Sequence, residues 1–381
     1  MDKRTGVFSR FRSSSKGRSK RAILKCRTFF PVLCSLIVLL RVVSLSSQRH
    51  GSNTIKFTLG TVIRGDEWTG DMTPSKFAVL NSIKSFIRAV GSKRVVLFVD
   101  SQTSCASRPA FTRKCTCQSL SACVDPVYGV PTMDCIFDLL FDLSKTDVVG
   151  FFNGDILVFD SLPRAVTLVA REFPEFLVVG RRHRGDKLIH FDEDNLWHYA
   201  ELHAKTLPLD HGYAIDYFVT RKDVYDKSLR GSLPPFVIGA WRWDNVLLSS
   251  FFKHTNVTVA DVTYAAPVMH QLPGAGGDHV SRRGAEFNDE LAKHYSGTDF
   301  LFGSVDFADV QIRTLSAEEE YILDPYHSLV RKVFQSGALS TADIAALKTY
   351  YEKRNEQDHH QRLSLEDHLA SLRDFRQQLA G

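Results

Sequence analysis

Outside its N-terminus, this 381-residue chain lacks a net basic charge, and this absence is the most informative one in the sequence. Residues 1–27 hold ten of the 48 lysines and arginines and one of the 43 acids, which leaves 38 bases against 42 acids in the rest. A mildly acidic body argues against a nucleic-acid-binding domain, whose electrostatic footprint is basic. With 44% hydrophobic and 24% charged residues, the composition is that of a globular protein, not of a disordered chain or a multi-span membrane protein.

The chain also lacks an internal repeat, a glycine-rich phosphate loop and a zinc-type cysteine spacing. Five of its seven cysteines follow the N-terminal apolar segment, and four of them, spaced C-x9-C-x-C-x5-C, lie between Ser104 and Val124. This cluster, with Cys135 after it, predicts a disulfide-pinned loop in an oxidising compartment. Reduced cysteines in a surface loop are the alternative.

An apolar run at Phe29–Leu40, continued after Arg41 by Val42–Leu45, is long enough for a short membrane span. The basic tail before it predicts a cytoplasmic N-terminus and therefore a type II signal anchor, with the body in the lumen of the Golgi or endoplasmic reticulum. A cleaved signal peptide and a mitochondrial presequence are the alternatives. Asn256-Val257-Thr258 is the only N-glycosylation sequon after the segment.

These features divide the chain into a basic tail (1–27), a signal anchor (28–46), a short stem (47–55), a globular domain (56–315) and a helical C-terminal extension (316–381). In the globular domain, buried strands alternate with amphipathic helices, which predicts an α/β doubly wound fold with ligands at the carboxyl ends of the strands. Residues 186–211 lack clear periodicity and are expected to be loop-rich. The predicted strands are 56–63, 94–100, 148–152, 176–180, 213–220, 257–263 and 265–269, and the predicted helices include 74–90 and 131–143.

The sharpest local feature is Asn153-Gly154-Asp155, which follows the apolar strand 148–152. It places an amide and a carboxylate at a strand end beside a permissive glycine. Such oxygen ligands suit Mg²⁺ or Mn²⁺, which commonly complete their coordination with substrate phosphates. A turn in which the three residues serve only the backbone geometry is the alternative.

An ordered series of short motifs accompanies this one. The series continues with V-G-R-R at 179–182, D-Y-F at 216–218, F-V-I-G at 236–239, W-D-N at 243–245 and H-Q at 270–271. In order and spacing, the chain resembles the GT-A-type nucleotide-diphospho-sugar transferases over about residues 57–307. The resemblance implies a GT-A-like mixed sheet with helices on both faces, and a metal-dependent transfer of a sugar from a nucleotide sugar to an acceptor hydroxyl of a glycan or glycoconjugate.

The resemblance also implies a metal site. Asp155, with Asn153 beside it, would hold a divalent cation that bridges the donor diphosphate and acts as a Lewis acid for the leaving group. His270, after an apolar strand, would be the third protein ligand. A histidine whose hydrogen bonds are satisfied within the fold is the structural alternative.

Three further residues are expected to contact the nucleotide. Arg181 and Arg182 could neutralise phosphate, and Asp100 lies at the strand end where such folds bind the nucleoside. The alternatives are a solvated pair of arginines and an acid that caps a helix or serves a turn.

Asp244 is the candidate base that deprotonates the acceptor hydroxyl, and Asp216 is the second candidate. Trp241 or Trp243, beside Asp244, would form an apolar platform for a sugar ring. The alternative for Asp244 is a helix N-cap with buried indoles behind it.

The chain departs from the pattern of its suspected relatives at several positions. Asn153 occupies the first position of the general D-x-D motif, Ala240 stands where relatives often have arginine, and Leu272-Pro273 follows Gln271 where relatives often continue x-H-D-Y. These departures support a second hypothesis, a catalytically inactive GT-A-like protein of the secretory pathway that binds a glycan or a partner. Cytosolic nucleotidyltransferases are disfavoured by the missing glycine-rich loop and by the predicted anchor.

Overall fold

The computed structural model describes residues 54–63, 71–185, 194–252, 254, 256–271, 282–296, 303–314 and 321–324. The expected tail, signal anchor and most of the stem lie outside these ranges, as does the expected helical extension from residue 325 onward. None of the helices within these ranges is long and apolar enough to span a membrane.

The strands in the described ranges are β1 Phe57–Ile63, β2 Val95–Val99, β3 Thr116–Ser119, β4 Val148–Phe152, β5 Ile156–Leu157, β6 Phe176–Val179, β7 Arg182–Arg184, β8 Tyr217–Arg221, β9 Thr258–Asp261, β10 Val268–His270, β11 Val310–Thr314 and β12 Tyr321–Asp324. The α-helices there are α1 Pro74–Val90, α2 Gln102–Ala106, α3 Met133–Leu143, α4 Ser161–Glu172, α5 Asp194–Ala204, α6 Lys222–Ser228, α7 Trp243–Phe252 and α8 Arg282–Ser296.

Nine of these strands form one mixed sheet in the order β12-β11-β9-β6-β8-β4-β1-β2-β3. The strands β3, β2, β1 and β4 are parallel, and β8 runs antiparallel between β4 and β6. The strands β6, β9 and β11 are parallel again, and β12 is antiparallel to β11. A second sheet of three strands has the order β5-β10-β7. This mixed α/β architecture fits the GT-A-like fold expected from the sequence.

Two apolar clusters cover the two faces of the large sheet. One contains Ile83 and Phe86 of α1 and Val166 of α4, and the other contains Ile136 of α3 and Leu248 of α7. Successive side chains of a strand point to opposite faces, so alternate residues of β2 enter different clusters. All five β2 residues are buried, which is why this strand reads as an uninterrupted apolar run.

The helix α1 begins and ends where the sequence predicts. Thr73 caps its N-terminus by accepting a hydrogen bond from the Lys76 N–H, and Pro74 occupies the first helical position. Gly91, with φ of 83°, ends the helix in a conformation that favours glycine.

Two regions differ from the prediction. Within residues 186–211, expected to be loop-rich, residues 194–204 form α5. The stretch 321–324, at the start of the expected helical extension, is instead the strand β12. In both segments the stabilising contacts are tertiary: Trp197 of α5 packs against Phe159, and β12 pairs with β11. The buried residues of α5, Trp197, Ala200 and Ala204, have helical spacing, but two of the three are alanines, so the apolar face is weak in the sequence.

Two disulfides confirm the disulfide-pinned loop predicted from the cysteine cluster. Cys105–Cys117 joins α2 to β3. Cys123–Cys135 joins the short helical turn Ser121–Cys123 to α3. Cys115 remains a buried free thiol, and burial raises its pKa to about 11 against the opposing charge of Arg108. Spacing alone could not have given this pairing, because several connectivities are compatible with the same cluster.

Candidate active site

The turn after β4 places Asn153 and Asp155 at the carboxyl end of the strand. The Asn153 N–H donates to the Asp216 carbonyl at 2.9 Å, so the turn is tied to the segment that enters β8. A Cβ on Gly154 would lie 2.9 Å from the carbonyl oxygen of Val62. Glycine is therefore required here because the turn packs directly against the backbone at the end of β1.

Asp155 and His270 form a pair across the small sheet. The strand β5 pairs antiparallel with β10, and His270 lies opposite Ile156, the residue after Asp155. This register brings His270 Nε2 to 3.0 Å from Asp155 Oδ2, with the side chains 13% and 23% exposed. Burial opposes both charges, but the mutual attraction and the hydrogen bond outweigh it. The pKa of Asp155 is accordingly lowered and that of His270 is raised.

Gln271 anchors this pair to α1. Its Nε2 donates to the Ala78 carbonyl at 2.8 Å and to Ser82 Oγ at 3.0 Å, while its Oε1 accepts from Asn81 Nδ2 at 3.2 Å. Its backbone N–H also donates to the Asp155 carbonyl at 3.3 Å. The fully buried Gln271 therefore orients both members of the pair, which gives the H-Q motif a structural reason.

A second charged group surrounds Arg182, the first residue of β7. Its Nη1 donates to both carboxylate oxygens of Asp216, at 2.9 and 3.1 Å, and its Nε donates to Asp210 Oδ2 at 2.8 Å. Arg184 donates to the other oxygen of Asp210. Burial opposes the charge of Arg182, but the two carboxylates outweigh it and raise its pKa above the usual value.

Asp216 connects the two groups. Besides accepting from Arg182, its Oδ1 accepts a hydrogen bond from the Asn153 side-chain amide at 2.7 Å. The metal candidates on the β4 turn and the arginine on β7 are thus linked through one buried carboxylate. This convergence follows from the topology, since β8 lies directly beside β4 in the large sheet.

Asp244 lies in the first turn of α7, where one of its oxygens accepts the Asn245 N–H at 2.9 Å. Burial, together with the negative charge of Asp216, raises its pKa to about 7, against hydrogen bonds and the charge of Arg182 that lower it. A carboxyl group that titrates near neutral pH suits a general base.

The two tryptophans beside Asp244 have opposite environments. Trp243 is buried and packs edge-on against Phe151 of β4, with ring centroids 5.7 Å apart. Trp241 is 66% exposed. If either indole offers a surface to a ligand, it is Trp241.

The structure places Arg181 and Asp100 elsewhere. Arg181 is buried; its backbone N–H donates to Thr263 Oγ1 at 2.8 Å and its Nη2 donates to Tyr264 Oη at 3.1 Å. Its side chain points away from that of Arg182, because neighbouring side chains on an extended segment point in opposite directions. Asp100 is exposed at the end of β2 and accepts a hydrogen bond from Ser104 Oγ at 2.6 Å, in the first turn of α2. The expected nucleotide contacts of both residues remain predictions.

Asp210 and Arg184 belong to this group but were not among the candidates derived from the sequence. Asp210 is only 5% exposed and bonds both arginines of β7. It lies in the stretch expected to be loop-rich, where no motif marks it. An acid flanked by Leu209 and His211 carries no pattern that separates it from other loop acids.

Asp155 and His270 fit a divalent cation. They offer a carboxylate oxygen and an imidazole nitrogen side by side, which are ligands that Mn²⁺ accepts. Asn153 donates through its amide nitrogen, which leaves its amide oxygen as a third donor. Within the described ranges, no three His, Cys, Asp or Glu side chains form a metal-binding group. The residues therefore suit a cation that takes part of its coordination from phosphates and water.

No protein-family profile and no curated protein matches the chain. Similar solved structures include S. aureus TarS 1–349 with UDP-GlcNAc, at a TM-score of 0.41 and 10% identity over 78% of this chain and 80% of that one. GalNAc-T7 with UDP, GalNAc and Mn²⁺ has a TM-score of 0.39 and 11% identity over 65% and 50% of the chains. A Bacillus anthracis protein described as a glucose-1-phosphate thymidylyltransferase has a TM-score of 0.35 and 10% sequence identity. The match covers 61% of this chain and 95% of that one. Similarities at this level carry no argument about activity.

Proposed function

We propose that this protein is a glycosyltransferase that moves a sugar from a nucleotide-sugar donor to an acceptor hydroxyl with the help of a divalent cation. One observation carries the proposal. Six residues from five separate stretches of the chain come together at the carboxyl end of β4, the kind of strand end where open α/β folds bind ligands. They are Asn153, Asp155, Arg182, Asp216, Asp244 and His270.

The charge balance of the site supports a cation. Four carboxylates, those of Asp155, Asp210, Asp216 and Asp244, face two arginines, Arg182 and Arg184, and His270, whose raised pKa favours the protonated ring. The acids therefore still outnumber the cationic groups. An anionic diphosphate would be repelled by such a group unless positive charge were added. A divalent cation held by Asp155, His270 and the amide oxygen of Asn153 would supply that charge and polarise the leaving group.

Arg182 would take part in donor binding without giving up its carboxylate partners. Its Nε and Nη1 are bonded to Asp210 and Asp216, and the planar guanidinium still has Nη2 to offer. We assign Nη2 to a phosphate oxygen of the donor. The two carboxylates then keep the guanidinium plane fixed before the donor arrives.

Asp244 would act as the base. Its ionised carboxylate accepts the proton of the acceptor hydroxyl while the hydroxyl oxygen bonds to the anomeric carbon and the bond from that carbon to the nucleoside diphosphate breaks. Burial, followed by the negative charge of Asp216, raises the pKa of Asp244. Asp216 itself is paired with Arg182, so the two acids of the site have different roles.

We further propose that the body resides in the lumen of the secretory pathway. The two disulfides support this compartment, because disulfides persist in oxidising environments and are rare in the cytosol. The basic tail before the expected anchor would then lie in the cytoplasm.

A panel of nucleotide sugars tests the proposal. The purified body is incubated with each donor and Mn²⁺, and the release of nucleoside diphosphate is followed with and without chelator. Release from at least one donor that stops with chelator supports a transferase. Silence across the panel, combined with binding of a glycan, would favour the inactive binding protein instead.

A further inference from the structure

Arg184, the last residue of β7, has no role in the reaction proposed above. Its side chain is 55% exposed, against 27% for Arg182. Its Nη2 donates to Asp210 Oδ1, and its guanidinium has no other partner in the part of the chain that the structure describes. A guanidinium carries five N–H donors. Most of the donors of Arg184 are therefore open to a ligand that arrives from solvent.

Asp210 holds this exposed guanidinium in place. Asp210 is buried; its Oδ2 accepts from Arg182 Nε at 2.8 Å, and its Oδ1 accepts from Arg184. Burial opposes the charge of Asp210, but the hydrogen bonds and the charges of both arginines outweigh burial and lower its pKa. A long side chain that is fixed before a ligand arrives loses less rotamer freedom on binding. Arg184 is therefore pre-organised for a ligand.

The backbone places Arg184 beside the candidate metal ligand His270. Residues two apart on a strand point to the same face and lie about 7 Å apart, so Arg182 and Arg184 share one face of the small sheet. The parallel register of β7 and β10 pairs Arg184 with His270. The N–H of Gly185, the next residue, donates to the His270 carbonyl at 2.9 Å. An anion bound by Arg184 would thus lie next to the candidate donor site, on its more exposed side.

The charges near Arg184 restrict what it would bind. Under the proposed function, the donor diphosphate already has the cation and Arg182 as partners. An acidic acceptor that enters the site would be repelled by Asp216 and Asp244 unless a positive charge met it. Arg184 offers that charge at the exposed side of the group, and guanidinium groups bind planar or tetrahedral oxyanions through strong, often paired hydrogen bonds.

Resting on the proposed function, we propose that Arg184 is the anion subsite of the acceptor and that the acceptor is an acidic glycan. The carboxylate of a uronic acid or the sulfate of a sulfated sugar would accept hydrogen bonds from Arg184 while a hydroxyl of the same glycan reaches Asp244. A neutral acceptor would leave the fixed, exposed guanidinium without a partner.

The test uses matched pairs of immobilised oligosaccharides: a uronic-acid oligosaccharide with its carboxyl-reduced form, and a sulfated oligosaccharide with its desulfated form. The unaltered body should bind the acidic member of one pair at least about tenfold more tightly than the neutral member, as a charge-assisted hydrogen bond implies. The pair that shows this preference identifies the anionic group.

Three variants accompany the unaltered body. Arg184→Gln should abolish the preference for the acidic member. Arg184→Lys keeps a positive charge beside Asp210 but loses the planar fork, so it should show an intermediate preference. Arg113→Gln, which removes an exposed arginine just before β3, should keep the full preference.

The donor KM, measured in parallel, separates the acceptor from the donor. The loss in Arg184→Gln should fall on acidic-glycan binding and not on the donor KM. A raised donor KM with an unchanged glycan preference would assign the guanidinium to the donor phosphates and overturn the proposal. Equal binding of acidic and neutral members by the unaltered body would also overturn it, as would an equal loss for both members in Arg184→Gln. Absence of donor turnover in every form, with Arg184-dependent binding of an acidic glycan, would overturn the transferase and leave the anion subsite standing.

Discussion

At the scale of single residues, Asp244 shows that the pKa of a side chain depends on its neighbours in the fold. Its position at the start of α7 is readable from the sequence, but its pKa of about 7 arises from burial and from Asp216, which lies 28 positions earlier in the chain. The environments of Arg181 and Arg182 likewise depend on the fold. The sequence could nominate the pair, but only the fold shows that Arg182 meets Asp216 while Arg181 lies beside Tyr264.

The pH dependence of transfer follows from Asp244. A base must be ionised to accept a proton, so kcat/KM should rise with pH through about 7. Burial is the largest cause of this raised pKa and the charge of Asp216 is the second. Replacing Asp216 with Asn removes the second cause, so the rise should move partway to lower pH. A pH–rate profile of both forms measures the shift. A midpoint that stays in place in Asp216→Asn would mean that another group controls the profile.

The Asp155–His270 pair should make the metal-free protein's stability pH-dependent. A raised His270 pKa adds stability below the usual value of about 6.5, and this is lost as pH rises through the folded-state pKa. A lowered Asp155 pKa adds stability above about 3.9, and this is lost as pH falls through the folded-state pKa. In chelator, His270→Gln should therefore lower the melting temperature more at pH 6 than at pH 9. An equal loss at both pH values would show that the imidazolium charge does not stabilise the fold.

At the scale of elements, the sequence predicts those helices and strands whose ends or apolar runs are marked by local residues. Thr73, Pro74 and Gly91 mark both ends of α1, and the apolar run 148–152 marks β4. The direction of β8 was not readable, since a buried strand has the same apolar pattern whether it runs parallel or antiparallel. That direction matters, because it brings Asp216 beside the β4 turn.

The β4 turn depends on a glycine. A methyl group at Gly154 would press against the backbone carbonyl of Val62, which cannot move aside as a flexible side chain can. Gly154→Ala should therefore lower the free energy of unfolding by about 1–3 kcal/mol and reduce transfer by displacing Asn153 and Asp155. Urea unfolding and initial rates measure the two effects.

Gly129→Asn is the matched control for this change. Gly129 has φ of 66° with no atom within 4 Å of an added Cβ, and asparagine tolerates that conformation. It should leave both stability and rate close to those of the unaltered protein. Equal behaviour of the two variants would contradict the tight packing of the β4 turn.

At the scale of the whole molecule, the chain consists of a strongly basic start and a mildly acidic body. Under the proposed function, the positive charge that a diphosphate requires would therefore come from a few placed arginines and a bound cation. Asn256 adds a test of compartment, because it is exposed in the turn between α7 and β9 and begins the sequon. When the full chain is expressed in a secretory cell, peptide N-glycosidase should increase its electrophoretic mobility. Asn256→Gln should abolish that change, and an unmodified Asn256 would argue against the lumenal placement.

Metal-dependent transfer is tested most directly by measuring donor turnover by the body without residues 1–46 as a function of Mn²⁺ concentration. A metal-dependent transferase should show chelator-sensitive release of nucleoside diphosphate that returns with Mn²⁺. Release should fall at least about 100-fold in Asp155→Ala. It should not fall in Asp142→Ala, which removes an exposed carboxylate on α3. Turnover that persists in chelator and in Asp155→Ala would contradict a metal-dependent transferase built on the β4 turn.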